Sequence, residues 1–312
     1  MSTTSITRKR ILGILSPLVF APVFLLSQSG NPKCTHCAEW NTAQPPFRIY
    51  GNTYYVGPHG LSSILITSDA GHVLIDGALH ESAQQIAANI RTLGFRIEDV
   101  KFILNSHAHY DHAGGIAELQ RLSGARVAAS PWTAAVMKSG EAGRDDPQYG
   151  VLFPITPIAH VQKLRDGQTL HVGPLALTAH FTPGHTPGGT SWTWQSCEKT
   201  RCLALVYADS MNAVSADGFK FTQRGQRPET FKDFEKSFAF LNNAPCDLAL
   251  SAHPDISNLW DRLDARQRGA RADPKLPDAM IDPAGCRNLA THFREVLQQR
   301  IAEETGKSTT TQ

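Results

Sequence analysis

Net charge is what this 312-residue sequence has least of: 30 Lys and Arg face 28 Asp and Glu, a formal balance of +2. Three of the positive charges, Arg8, Lys9 and Arg10, sit in an N-terminal segment without acidic residues, and without that segment the balance becomes −1. A near-neutral chain has no electrostatic hold on nucleic acid or an anionic membrane surface, so neither is an expected partner. Internal repeats and low-complexity tracts are also missing, and the length is ordinary for one large α/β or β-rich domain. The apolar run Ile11 to Leu26 is short for a membrane span and carries Pro17 and Pro22.

Placed after Arg8-Lys9-Arg10 and before Ser27-Gln28-Ser29-Gly30, that run has the layout of a secretory signal peptide. The expected organisation is a leader over 1–29, one domain over 30–305 and a disordered polar tail over 306–312. The mature protein is expected to be periplasmic, monomeric and free of stable membrane association. Six cysteines in an exported chain suggest disulfides. Cys197 and Cys202 flank a polar stretch between two strand-like runs, where a bridge would close a hairpin end. Cys246 and Cys286 would tie the last strand region to the C-terminal helix. Cys34-Thr35-His36-Cys37 leaves a local disulfide, a redox pair and a metal site open, with a structural role favoured.

Four strand-like runs, Phe47 to Tyr50, Thr53 to Val56, Leu61 to Thr67 and His72 to Asp76, are separated by Gly-containing turns, the pattern of an antiparallel meander. Helix and strand then alternate: helix Ser82 to Leu93, strand Val100 to Leu104, helix Ile116 to Leu122, strand Arg126 to Ala129, helix Trp132 to Lys138. Ser139 to Pro157 reads as a long surface loop suited to shaping a substrate entrance. Strands return at Leu170 to Val172, Leu175 to Phe181, Thr190 to Trp194, Leu203 to Tyr207 and Leu248 to Ala252. Helices are expected over Glu229 to Leu241 and Ala284 to Glu304.

The chemistry concentrates in His107-Ala108-His109-Tyr110-Asp111-His112, on the connection between a buried strand and a helix. Residues two apart in an extended segment point the same way, so His107 and His109 can serve one ion while Asp111 and His112, past the bend, turn toward another. Imidazole and carboxylate without thiolate suit zinc, with other first-row metals possible. His185 stands in Thr182-Pro183-Gly184-His185-Thr186-Pro187-Gly188-Gly189, a turn stiffened by prolines that would hold it in a fixed pose. Asp76 and Asp209 end strands, as does the Ala252-His253-Pro254 stretch. Asp76 could orient a ligand histidine through its second nitrogen or simply cap a turn.

With His107, His109, Asp111, His112, His185 and His253 in this order, the chain resembles the metallo-β-lactamase superfamily. Within it the chain looks most like class B β-lactamases of the third subclass, on the stretches Gly51-Asn52-Thr53-Tyr54-Tyr55-Val56-Gly57, the His185 turn, Tyr207-Ala208-Asp209-Ser210 and Ala252-His253-Pro254. The resemblance implies an α/β fold, an αβ/βα sandwich of two mixed sheets flanked by helices, with two Zn2+ at one edge. One zinc is implied on His107, His109 and His185, and a second on Asp111, His112 and His253. Ser210 stands where other subclasses place a cysteine ligand and is not expected to bind metal. Ser210, Asn212 and Ser215 are candidates for polar contacts to substrate, and Asp76 and Asp209 for support behind the ligands.

The implied activity is hydrolysis of the β-lactam amide of antibiotics by a metal-bridging hydroxide, with Asp111 orienting the water. A superfamily hydrolase of lactones or thioesters would share every ligand, and a non-catalytic exported zinc-binding protein is the rival from another class. Ser196-Cys197-Glu198-Lys199 fits a Ser-x-x-Lys pattern, but the Ser-Asp-Asn and Lys-Thr-Gly companions of serine β-lactamases are missing, so it is read as coincidence.

Overall fold

The computed structural model describes residues 1–2, 34–223, 230–271 and 273–306. Apart from Met1 and Ser2, the expected leader lies outside these residues, as do Glu229 and the tail after Gly306. Among the described residues, no helix is long and apolar enough to cross a membrane.

Seven strands form the first sheet in chain order: β1 (Phe47–Tyr50), β2 (Thr53–Tyr55), β3 (Ile64–Ile66), β4 (His72–Ile75), β5 (Val100–Leu104), β6 (Arg126–Ala129) and β7 (Val161–Lys163). β1 to β4 pair antiparallel and β4 to β7 parallel. The second sheet contains β8 (Thr169–Val172), β9 (Leu175–Phe181), β10 (Thr190–Glu198), β11 (Arg201–Ala208) and β12 (Leu248–Ser251), in the order β12-β11-β10-β9-β8. Its pairs are antiparallel except β11 with β12. The helices are α1 (Cys37–Trp40), α2 (Ser82–Thr92), α3 (Tyr110–Ala113), α4 (Ile116–Ser123), α5 (Pro131–Ser139), α6 (Thr230–Asn243), α7 (Leu259–Gln267) and α8 (Gly285–Glu304).

Alternation along the strands sets the layers. Ile64, Ile66, Val73 and Ile75 join Leu177, Trp192, Leu205 and Tyr207 in the core between the sheets. Their neighbours Leu65 and Leu74 face the other way, onto Ile86 and Ile90 of α2 and Ile116 and Leu119 of α4. Val206 and Ala249 likewise meet Phe234 and Phe238 of α6 and Phe293 of α8. Each sheet is therefore buried on both faces, and the result is the expected αβ/βα sandwich.

Several boundaries differ from the sequence pattern. The expected strand from Leu61 contracts to β3 because Ser62 donates its N–H to Ala252 O (3.0 Å) and Leu61 O accepts from the Tyr55 hydroxyl (2.9 Å). β10 and β11 run on to a tight turn, where Cys197 and Cys202 face each other in register and form a disulfide. Cys246–Cys286 and Cys34–Cys37 are also bonded, so the local disulfide is the outcome for the N-terminal pair. The sequence pattern did not pick out the short elements α1, α3, α7 and β7.

Candidate metal centre

Parallel pairing brings chemistry to one edge. The C-terminal ends of β4 and β5 lie side by side, with Asp76 N–H on Leu104 O (2.9 Å), so Asp76 adjoins the loop that carries His107 to His112. In the second sheet β11 and β12 also run parallel, which places Asp209 and Ser210 beside the segment leading to His253. The β9–β10 turn holding His185 is tied across by Thr190 N–H to Ser106 O (2.9 Å). Gly184 has φ +147°, a conformation that L side chains rarely adopt, and a Cβ on Gly189 would collide with Asp209 Oδ2 and Thr182 O.

Three imidazoles each have one nitrogen fixed. His107 Nδ1 lies 2.7 Å from Asp209 Oδ1, His109 Nε2 lies 3.0 Å from Asp146 Oδ2, and His185 Nδ1 donates to Asn212 O at 2.8 Å. These bonds leave His107 Nε2, His109 Nδ1 and His185 Nε2 as the coordinating atoms, the last two within reach of the Gln148 amide. One ligand atom from each of the three side chains lies within 4.8 Å of the others. His107 Nε2 is buried with no hydrogen-bond partner. Burial and the neighbouring imidazoles hold His107 well below the usual histidine range and bring His185 down to about 3, so both are neutral and ready to ligate.

A second compact group joins His107, Asp111 and His112. Asp111 Oδ2 lies 3.2 Å from His112 Nε2 and 3.5 Å from His253 Nε2, which brings the His253 ring to the same carboxylate. Both ring nitrogens of His112 are buried without a hydrogen-bond partner. Burial alone would raise the Asp111 carboxyl, but the His112 charge and the contacts from His112 and His253 hold it well below the usual range. Orphaned buried nitrogens facing an ionised carboxylate are the donor set a divalent cation satisfies, so the residues fit the metal that the sequence implies.

The two strand-end aspartates occupy different places. Asp209 is fully buried behind His107, where burial and then the Asp76 charge push its carboxyl well up. Asp76 accepts from Asn105 Nδ2 (2.8 Å), Ser106 N–H (2.7 Å), Ser106 Oγ (2.6 Å) and the Tyr207 hydroxyl (2.8 Å). His112 Nδ1 is 4.0 Å away, beyond hydrogen-bond length. The φ of +60° at Asp76 is costly for a non-glycine residue, and this bonding supplies the compensation.

A cavity of about 410 Å³ opens over the histidines, walled by Trp40, Tyr110, Leu152, Val214 and Ile256 and edged by Gln148, Ser210, Asn212 and Asp255. Ser210 and Asn212 therefore reach the site that the sequence suggested. Ser215 does not line it: its hydroxyl accepts from Arg300 Nη2 at 2.7 Å and donates to Ala216 O at 3.2 Å. Asp146, Gln148 and Trp40 had no distinguishing sequence signal. Ser196 sits far along β10 with its hydroxyl on Tyr50 O (2.8 Å), and its neighbour Cys197 is in a disulfide.

A family model described as the metallo-beta-lactamase superfamily matches residues 56–198. The solved structure of Rm3 metallo-beta-lactamase is 56% identical, with a TM-score of 0.84, covering 88% of this chain and 100% of that one. MEM-A1, a subclass B3 metallo-beta-lactamase from a soil metagenome library, is 48% identical, with a TM-score of 0.82, covering 86% of this chain and 100% of that one. A probable metallo-hydrolase of Burkholderia pseudomallei (strain 1710b) is 31% identical over 144 residues, 41% of this chain and 45% of that protein. The chain thus spans about half the length of that curated relative, against the whole of the two solved structures.

Proposed function

We propose, from the premise that this chain belongs to the metallo-β-lactamase superfamily and is most like its subclass B3 enzymes, that it hydrolyses the amide bond of β-lactam antibiotics and so confers resistance. The observation that carries this reading is the convergence of three imidazoles on one point, each with its other nitrogen tied down, beneath an open cavity. His107, His109 and His185 would hold one zinc, and Asp111, His112 and His253 a second. When bound, such a pair supplies Lewis acidity and lowers the pKa of water to about 7.

The chain's own groups do the rest. Asp111 stays ionised and orients the attacking water by accepting one of its hydrogens, while its place among the ligands leaves it no role as a free base. The water oxygen bonds to the lactam carbonyl carbon, the carbon–nitrogen bond breaks, and the proton that the water gives up ends on the departing nitrogen. Ser210 and Asn212, at the cavity edge, offer polar contacts to the substrate carboxylate, and Trp40, Leu152 and Ile256 cover its apolar parts. Removal of the 1–29 leader would deliver a periplasmic, monomeric enzyme, a compartment in keeping with three disulfides.

The test is turnover of nitrocefin and a carbapenem by the purified protein before and after EDTA, with zinc added back. Loss and recovery are expected. Zinc uptake without lactam turnover sinks the assignment and sends the search to lactones and thioesters, whose hydrolysis the same ligand set would serve. A non-catalytic zinc protein would have closed coordination, and the open cavity speaks against it.

A further inference from the structure

The partners that fix His107 and His185 follow a strand end: Asp209 and the Asn212 carbonyl come just after β11. His109 is held differently. Its partner Asp146 belongs to the long connection between α5 and β7, and its side chain is fully buried although the surrounding chain is largely exposed.

The Asp146 carboxylate is divided between two tasks. Oδ2 meets His109 Nε2 at 3.0 Å, and Oδ1 accepts the Gln148 backbone N–H at 2.8 Å. The second bond closes a short turn that sends the Gln148 amide back over the imidazoles, with Nε2 at 3.4 Å from His109 Nδ1 and 3.5 Å from His185 Nε2. Two further bonds brace this turn, Trp132 Nε1 to Asp145 Oδ2 (2.6 Å) and Ala216 N–H to Pro147 O (2.9 Å). Gln148 and Leu152, on the same connection, form part of the cavity wall.

We propose that Asp146 is a positioning residue that couples the metal centre to the substrate-facing connection. One oxygen fixes the His109 ring and leaves Nδ1 to join the ligand atoms of His107 and His185, and the other fixes the turn that sets Gln148 and the adjoining wall. The proposal rests on the reading of the site as a zinc hydrolase. Without the carboxylate the His109 ring loses the acceptor that selects its tautomer, and Gln148 loses the bond that sets its reach. Metal affinity and substrate fit then fail together, although neither residue of the turn need bind the ion.

The test compares Asp146→Ala, Asp146→Asn and Gln148→Ala in the full chain, with zinc affinity read by competition against a chromogenic chelator and nitrocefin KM read separately. Asp146→Ala is expected to weaken zinc binding by roughly 10- to 100-fold and to raise KM. Asp146→Asn keeps an acceptor for the Gln148 N–H but loses the charge on His109, so it restores KM in part while zinc affinity stays low. Gln148→Ala raises KM and leaves zinc affinity within about twofold of the parent. The isosteric Asn variant and melting of each zinc-free protein separate these effects from misfolding. Zinc affinity in both Asp146 variants equal to the parent's overturns the proposal, as does a loss of stability that is the same with and without zinc. If the parent binds zinc but turns over no lactam, the β-lactamase reading fails while the zinc titration still decides the role of Asp146.

Discussion

His107, His109 and His185 each tie one ring nitrogen to a fixed acceptor, whereas His112 has no hydrogen-bond partner on either nitrogen and His253 is partly exposed. The first group is oriented by the fold itself, through Asp209, Asp146 and the Asn212 carbonyl. The second is gathered by Asp111, whose carboxylate both His112 and His253 approach. A site organised in advance loses less freedom when it captures an ion, so the two halves should differ in affinity, with the three-histidine half the tighter.

The largest expected effect breaks both halves at once. His107 belongs to both compact groups, so His107→Ala should leave little bound zinc and no measurable nitrocefin turnover. His253→Ala should strip only the second ion, leaving about one zinc per chain by elemental analysis, with kcat reduced by more than the roughly 10- to 100-fold that loss of an outer partner costs. Equal zinc loss in the two variants would refute the division into halves.

Next come the two buried aspartates. Asp209→Ala removes the partner of His107 and should lower zinc affinity by roughly 10- to 100-fold. Asp76→Ala instead strands the Asn105 amide, the Ser106 N–H and the Ser106 and Tyr207 hydroxyls, and should cost about 3 kcal/mol of stability by urea denaturation, with a smaller change in zinc affinity. If Asp76→Ala impaired zinc binding more than Asp209→Ala, the second half would be as firmly supported as the first. Gly189→Ala presses on Asp209 from behind and should cost about 1–3 kcal/mol while weakening zinc at the first half.

The contrast between the halves also marks what could be read in the sequence. Four potential ligands within six residues needed no structure, because local spacing alone brings them to one loop. The strands were legible as short apolar runs such as Ile64-Leu65-Ile66 and Val73-Leu74-Ile75 set off by Gly-containing turns, wholly apolar because their two faces enter two different cores. Asp146 was not, since a lone carboxylate in a Gly- and Asp-rich loop gives no sign of the imidazole 37 residues away that it will meet. Ser215 failed for the related reason that sequence proximity to Asn212 does not fix direction: Arg300, 85 residues on, draws its hydroxyl away from the cavity. Long-range partners decide such side chains, and the chain alone does not name them.

The finest test uses protons in place of mutations. Burial opposes a charge on His112, but the Asp111 carboxylate 3.2 Å away, and then Asp76, raise the ring above the usual histidine range. His107 and His185 are lowered instead. In the metal-free protein the raised His112 contributes stability that is complete below its unfolded value of about 6.5 and is lost as pH climbs through the folded value. Asp111, being lowered, contributes above its unfolded value of about 3.9, and that contribution disappears as pH falls through the folded one. The ion pair therefore supports the metal-free fold between these limits, and zinc entering the second half must displace the His112 proton. Affinity of the weaker zinc should accordingly rise with pH between about 6 and 8, while affinity of the tighter one, to which His107 and His185 come already neutral, changes less. Stepwise competition titrations across that range check this, and parallel slopes for the two ions would mean that the halves do not differ in the protons they hold.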